Sequence, residues 1–566
     1  LDVSSFHLII SAPTLNPMQF RNIQVFSMMK SYLINSNAKV GKGSKQTLSF
    51  MGCSSLEDLS HSLREYCMRI IDQVDRRVQS VSAAEFQKAC LIESIDLFNI
   101  LCLMDSGIIH TIFPIIRRIY DHVYSNVYSD PEVQDIAVMA SAMRFFINHG
   151  SSVMHKPDNL YVYMFCDLLN LSYKDNYIAY EIILLMKENL SQLCYHSSIL
   201  EKYFPTFFKV LAWRPNTFVD DFLELLPAFM SQHTSVEVFY MLLDLPCLTA
   251  ILILTDNKAS ILDPKAVKDS GLLEATKKPE VASMIQFMLR RNSGIGDTFE
   301  SVSLLHQSLN SLASDSRVMC CAEAVIPLLK KYFKVFLQYA DTSVTALLIP
   351  AILERLSILF PVPKYAENIH NVLSGAVVQL FELHPETIFH CQKTVMTYIN
   401  YFKNYFIAWQ NFMNMIWIIG EYISVSYSKL CRPEVIAIFF ESLESTTYEA
   451  LSYLQESSDD MFLKLLSIAL TTLSKLAARN QDQVPRAVLC LSKAHQQLSS
   501  FGNDYKKNWK IVMERVLELL SILNSPNVAA IVLSPPKQLE YGRLHRDSTS
   551  LPYVLRAITR VVTTNS

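Results

Sequence analysis

Apolar residues along this chain recur at intervals of three and four rather than at every second position, which is the period of helices that bury one face. The pattern is clearest in residues 412–427, FMNMIWIIGEYISVSY, where Phe412, Ile416, Ile419 and Ile423 fall at i, i+4, i+7 and i+11 and predict a buried helix. Trp417, Gly420 and Ser424 form an adjacent stripe, large then small. A glycine inside a helix costs about 1 kcal/mol relative to alanine, so Gly420 predicts the close approach of another backbone. Glu421 stands one turn from Trp417, Ile418, Ser424 and Val425, poor company for a charge. Its predicted role is structural, accepting hydrogen bonds from a neighbouring helix N-terminus or pairing with a Lys or Arg. The alternative leaves its carboxylate in solvent.

The same period predicts helices over 18–35, 56–77 and 84–104, then near 108–122, 131–148, 159–170, 175–193, 198–212 and 217–231. In 84–104, Leu91, Ile95, Phe98 and Cys102 make one apolar face while Glu85, Lys88, Asp96 and Asn99 lie largely elsewhere. Residues 36–55, with Lys39, Lys42 and Lys45 among Gly and Ser, predict a loop. The dipeptides Pro131-Glu132, Pro279-Glu280, Pro385-Glu386 and Pro433-Glu434 each precede an apolar run and predict helix starts. Proline fits the first helical position, and glutamate there complements the helix dipole. Residues 255–279 and 291–298 interrupt the series. Beyond them helices resume over 299–312, 317–340, 343–359 and 366–383. Toward the end Phe462, Leu466, Leu470, Leu473 and Ala477 share a face, as do Val512, Val516, Leu519 and Leu523.

No strand pattern intervenes, so the predicted fold is all-α, an α-solenoid of HEAT/armadillo-like helical pairs. The predicted organisation is an N-terminal solenoid part over 1–254, a loop-rich junction over 255–298 and a C-terminal solenoid part over 299–533. Residues 534–566 predict an irregular tail with a short closing helix near 551–562.

Composition agrees. Only 12 glycines occur in 566 residues, about 2% against an average of about 7%, which leaves few positions for hairpin turns. Net charge is −3, and no run of three Lys/Arg occurs, which gives no electrostatic reason to expect nucleic acid or anionic lipid. The 12 cysteines form no C-x-x-C and read as small buried hydrophobes in a reducing compartment. No uninterrupted apolar run reaches the roughly 18–20 residues of a membrane span, since Asn414 and Glu421 break the best candidate, and the chain reads as soluble. The N-terminus has no basic secretory n-region and no initiating Met, so the chain reads as beginning inside a longer product. With 50% hydrophobic residues and a mean hydropathy of +0.20, a solenoid of this kind predicts further surface hidden against partner subunits.

Candidate chemistry is sparse. GKGSK at 41–45 fails the phosphate-loop pattern, because Gly41-Lys42 is followed by Gly43 and the position five before Gly41 is Ser36. His545-Arg546-Asp547 opens like a kinase catalytic loop but continues with Ser548 and reaches Pro552 where that motif has Asn. No H-E-x-x-H, G-x-S-x-G or His/Cys cluster at ligand spacing occurs. The 26 Tyr and 31 Phe lack interleaved Lys/Arg and read as helix-pair core rather than base-stacking platforms. The sequence thus points to no catalytic residue, cofactor or metal.

The run Trp417-Ile418-Ile419-Gly420-Glu421-Tyr422 resembles the W-x-x-G-E-Y signature in the helical trunks of large adaptin subunits of vesicle coats. Further stretches narrow the resemblance to the zeta subunits of the fifth adaptor protein complex. They are LREYCMRIIDQVDRR at 63–77 with FQKACLIES at 86–94, FKVLAW at 208–213, LLDLPCLTAIL at 242–252 and TTLSKLAARNQDQVPRAVLCLSK at 471–493. LHRDSTSLPYVLR at 544–556 is similar to that subunit's C-terminus. The resemblance covers nearly the whole chain in order. It implies an adaptin-type trunk, non-enzymatic, inside a heterotetramer with beta, mu and sigma subunits and linked to spatacsin and spastizin. It implies peripheral membrane association on late endosomes and lysosomes and clathrin-independent retrieval of cargo toward the Golgi, with Trp417, Gly420, Glu421 and Tyr422 as a structural motif and no direct contact with nucleic acid.

Relative to the family, Leu1 aligns inside the subunit, and neither a long hinge nor an ear domain is expected after Ser534. The resemblance also carries an alternative, a nuclear role in DNA double-strand-break repair by homologous recombination. The helicase label attached to it finds no nucleotide-binding loop here.

Overall fold

The computed structural model describes residues 17–38, 56–73, 81–129, 133–153, 158–260, 278–294, 299–400, 408–456, 460–500 and 507–524, with 529 and 533. Among the described residues there is no strand, and the chain is an all-α array of helices. It forms two compact units, Leu1–Val210 and Leu211–Ser566, whose boundary falls within the helix Ile199–Trp213.

In the first unit Pro17–Ala38, Val81–Met104, Val133–His149 and Asn176–Glu188 pack successively side by side. Leu56–Ile71, Ile109–Ser129 and Leu190–His196 lie against that row. Such a two-layer arrangement lets each amphipathic helix bury its apolar stripe against its predecessor, its successor and its partner. Val81–Met104 is enclosed enough that its polar side also turns inward: Asn99 is 9% exposed. Its carboxamide oxygen accepts from Asn148 Nδ2 at 3.0 Å and lies 3.0 Å from His149 Nε2. Asp96, one turn before, accepts from Lys30 Nζ at 2.9 Å and Arg144 Nη1 at 3.1 Å, and from the Ser141 hydroxyl. The expectation that Asn99 lies off the buried face is therefore corrected. A helix in the middle of a row has neighbours on both sides, and its polar groups are satisfied internally.

The second unit repeats the plan over a longer row. Pro215–Phe229, Ser316–Tyr339, Tyr365–Leu383, Trp409–Tyr422, Asp460–Arg479 and Lys507–Leu523 follow one another in one layer. Ser235–Leu243, Thr342–Arg355, Gln392–Asn400, Pro433–Glu456 and Val484–Ser500 follow one another in the other. The predicted faces are the ones buried: Phe462, Leu466, Leu470, Leu473 and Ala477 are each at most 4% exposed. Met461–Arg479 is long and apolar enough to cross a bilayer by length and average composition, although its apolar run is interrupted. Lys464, Thr471, Thr472 and Ser474 break the run without lowering its average enough. Here the helix is enclosed by Trp409–Tyr422, Pro433–Glu456 and Lys507–Leu523.

The Ser235–Leu243 helix gives way to Leu245–Ser260 through a 62° bend at Asp244. Asp244 is buried and accepts from Arg355 Nη1 at 2.8 Å and from Arg355 Nη2. Arg355, 1% exposed, also donates through Nε to Ile358 O at 3.1 Å. His306 Nε2 lies 3.5 Å from Asp244 Oδ1, and the Tyr365 hydroxyl donates to Leu243 O at 2.8 Å. Burial alone would push the Asp244 carboxyl up, but Arg355, aided by His306, holds it down at about 2.

Helix boundaries differ from the sequence reading in definable ways. The loop predicted from 36 begins later, since 36–38 close Pro17–Ala38. The 159–170 helix contains a π segment, Tyr163–Leu168, between Asp158–Val162 and Leu169–Ser172. The 175–193 helix breaks at Asn189, whose side chain donates back to Leu185 O at 2.8 Å. Pro279 and Pro433 open their helices with Glu280 and Glu434 in the first turn. Pro385-Glu386 stands just before the four-residue helix Thr387–His390. Pro131-Glu132, the GKGSK stretch, His545-Arg546-Asp547 and the closing helix near 551–562 lie outside the described residues.

Candidate functional site

Trp417, Gly420, Glu421 and Tyr422 all lie in the last two turns of Trp409–Tyr422. The neighbouring helix Asp460–Arg479 meets them with Thr472, Lys475 and Arg479, spaced i, i+3 and i+7 along one face.

Each contact has a separate cause. A Cβ at position 420 would stand 2.8 Å from Thr472 Oγ1 and 3.2 Å from its Cγ2, so glycine is required by a side chain pressed against the helix. That corrects the expectation of a passing backbone. Threonine is β-branched and stiff, and it is anchored here by a hydrogen bond from Oγ1 to Ile416 O at 3.1 Å. Glu421 pairs with Lys475, and the two side chains are 18% and 19% exposed. Arg479 donates through Nη2 to Gly420 O at 2.7 Å and through Nη1 to Ile423 O. A helix leaves its last carbonyls without intrahelical partners, and a basic side chain that takes them stabilises the terminus. The helix accordingly ends at Tyr422 rather than running on to 427. Burial pulls the Arg479 guanidinium down to about 10, against the opposing pull of Glu421.

The aromatic members point in different directions. Tyr422 is 4% exposed and stands edge-on to Trp417 and Tyr427, with ring centroids 6.2 and 5.4 Å away. Trp417 is 40% exposed. It marks an accessible apolar position on the trunk rather than a core residue.

This arrangement holds two helices in register and offers no reacting group: the acid is paired with a lysine and the arginine is committed to carbonyls. Among the described residues no group of three His, Cys, Asp or Glu could hold a metal ion. The buried thiols of Cys67, Cys90, Cys321 and Cys391 are pushed up to about 12 by burial, far from a reactive thiolate. Glu421→Gln should lower stability by about 1 kcal/mol, because a half-buried pair becomes a neutral contact. Thermal melts of the variant against Lys475→Met and the double change measure the coupling directly.

Sequence reasoning singled out one side of this contact and missed Thr472, Lys475 and Arg479. Their signal was present as three hydrogen-bonding residues at i, i+3 and i+7 in a largely apolar helix. Other stretches quoted for the resemblance also meet. Thr249 Oγ1, in 242–252, donates to Ala212 O, in 208–213, at 2.9 Å. Gln87 Nε2, in 86–94, donates to Gln73 O, in 63–77, at 3.3 Å.

A family model described as "AP-5 complex subunit zeta-1, C-terminal TPR repeats" matches residues 221–561. A second, described as "AP-5 complex subunit, vesicle trafficking", matches residues 86–209. Each match falls inside one of the two compact units. AP-5 complex subunit zeta-1 of Homo sapiens is 31% identical over 573 residues, spanning 96% of this chain and 70% of its own length. The Mus musculus protein of the same name is 30% identical over 574 residues, with the same two coverages. The chain belongs to the AP-5 complex subunit zeta-1 family. As a member of this AP-5 family it is a non-enzymatic adaptor scaffold in vesicle trafficking. The AP-5 zeta-1 description names TPR repeats where the periodicity alone suggested HEAT/armadillo-like pairs; all are repeats of two or three helices whose stacking builds a continuous core.

Proposed function

We propose that this chain is the zeta-type large subunit of a heterotetrameric adaptor whose other members are beta, mu and sigma subunits. The observation that carries the reading is the zeta-1 match across 96% of the chain. The complex is linked to spatacsin and spastizin, associates peripherally with late endosomes and lysosomes, and retrieves cargo toward the Golgi without clathrin. The trunk contributes rigid helical faces in this scheme, and selection of cargo belongs to the assembled complex. No feature of the described residues favours the nuclear DNA-repair alternative.

Affinity capture of the tagged chain from cells, read by mass spectrometry, should recover the beta, mu and sigma subunits together with spatacsin and spastizin. Imaging should place the tag on compartments carrying late-endosomal markers. A chain recovered without any adaptor subunit, or one confined to the nucleus, would overturn the proposal.

A further inference from the structure

We infer that a groove between Ser316–Tyr339 and Tyr365–Leu383 receives an acidic, amphipathic segment of another polypeptide. The groove has a volume of about 680 Å³ and extends from Ile326 to Leu337 on the first helix and from Asn368 to Gln379 on the second. At 1.5 Å per residue it is about 16 Å long. Its floor is apolar, with Phe333 and Ala376 buried and Val372 partly open to the groove. Lys330 and Lys334, one turn apart, stand exposed on one rim, and Asn368, Asn371 and Gln379 stand exposed on the other. None of these five side chains has a hydrogen bond or ion pair with another described residue.

Gly375 points to the same groove. Glycine in mid-helix is unfavourable relative to alanine and asks for a reason. At Gly420 the reason is Thr472, whereas a Cβ at Gly375 would meet no atom within 4 Å. No contact within the described chain demands this glycine, yet it lines the groove. A wall without a side chain lets a docked backbone come close.

The chemistry of the occupant follows from the lining. Apolar side chains fill the floor, carboxylates meet the paired lysines at the rim, and the free carboxamides pair with peptide groups of the incoming segment. An anionic membrane is the poorer fit, because a bilayer surface does not reach a recessed apolar floor and two lysines attract it weakly. These residues would form the same groove whatever the cellular location or partner set of the chain.

A display library of random short peptides selected on the purified full chain tests it, with Lys330→Glu/Lys334→Glu and Gly375→Leu as comparison targets. Enriched peptides should carry Asp or Glu flanked by apolar residues. Their affinity, read by fluorescence anisotropy, should fall about tenfold on the double charge reversal and be lost on Gly375→Leu. All three substitutions lie at exposed positions, and equal melting temperatures distinguish lost docking from lost fold. Lys330→Gln/Lys334→Gln replaces the reversal where the melting temperature moves. The absence of any enrichment, a preference for neutral or basic peptides, or binding indifferent to both variants would overturn the inference. Lysine-dependent binding to phosphatidylcholine–phosphatidylserine vesicles alone would overturn it too.

Discussion

Replacing Arg355 with alanine should destabilise the second unit by about 3–5 kcal/mol, the range for removing one partner of a buried ion pair. The change leaves the Asp244 carboxylate buried opposite an empty site, and it removes the bond from Arg355 Nε to Ile358 O that closes the end of Thr342–Arg355. Asp244 sits at the bend between two helices, so the loss should spread to the Tyr365 hydroxyl bond to Leu243 O. Chemical denaturation with two-state fitting measures it. Replacing both members with apolar residues of similar volume, Asp244→Leu with Arg355→Met, should recover most of the loss, since no charge is then left unpaired. The pair also sets a pH dependence. The folded-state pKa of Asp244 lies near 2, below the ordinary carboxylate value, so its contribution is fully present above about pH 4 and lost as pH falls toward 2. That contribution is about 2 kcal/mol. In Arg355→Met burial acts on the carboxyl with the guanidinium gone, and the low-pH loss assigned to this group should disappear.

Gly420→Leu is the second large effect, a loss of about 2–3 kcal/mol from overpacking. Thr472 Oγ1 occupies the space at 2.8 Å, and its bond to Ile416 O gives it no cheap rotamer to escape into. Gly420→Ala should already be destabilising, although alanine is the better helix former. The control is Gly375→Ala, where nothing lies within 4 Å and stability should rise by about 0.5–1 kcal/mol. Thr472→Ala should rescue Gly420→Ala more than additively, since the two residues share one contact. Equal responses at the two glycines in thermal melts would contradict the packing argument.

The helical architecture was legible because it is written locally. Phe462 through Ala477 and Val512 through Leu523 keep one period over several turns, and those residues are the buried ones. Pro279 and Pro433 marked helix starts for a similarly local reason, the missing N–H that the first helical position does not need. What failed depended on contacts distant in sequence. The helix end at Tyr422 is set by Arg479, 57 residues beyond, and the inward turn of Asn99 by Asn148 and His149. None of these partners alters the apolar period of the helix it terminates or encloses. The Asp244–Arg355 pair joins residues 111 apart and left no trace in periodicity. Asp244 is a single charge in an apolar run and Arg355 stands beside Glu354, and each reads locally as an interruption. The marker Trp417–Tyr422 was visible as a signature, while its partner face on Asp460–Arg479 was visible only as a second stretch of the same resemblance. The structure joins them into one contact.

In the proposed function the helix rows form a scaffold for fixed partners rather than a monomer with activity of its own. The direct measurement is co-expression of this chain with candidate beta, mu and sigma subunits, followed by size-exclusion chromatography with light scattering. One species with the mass of a heterotetramer, containing each subunit once, is the predicted result. A monodisperse, folded monomer eluting apart from all three subunits would contradict it.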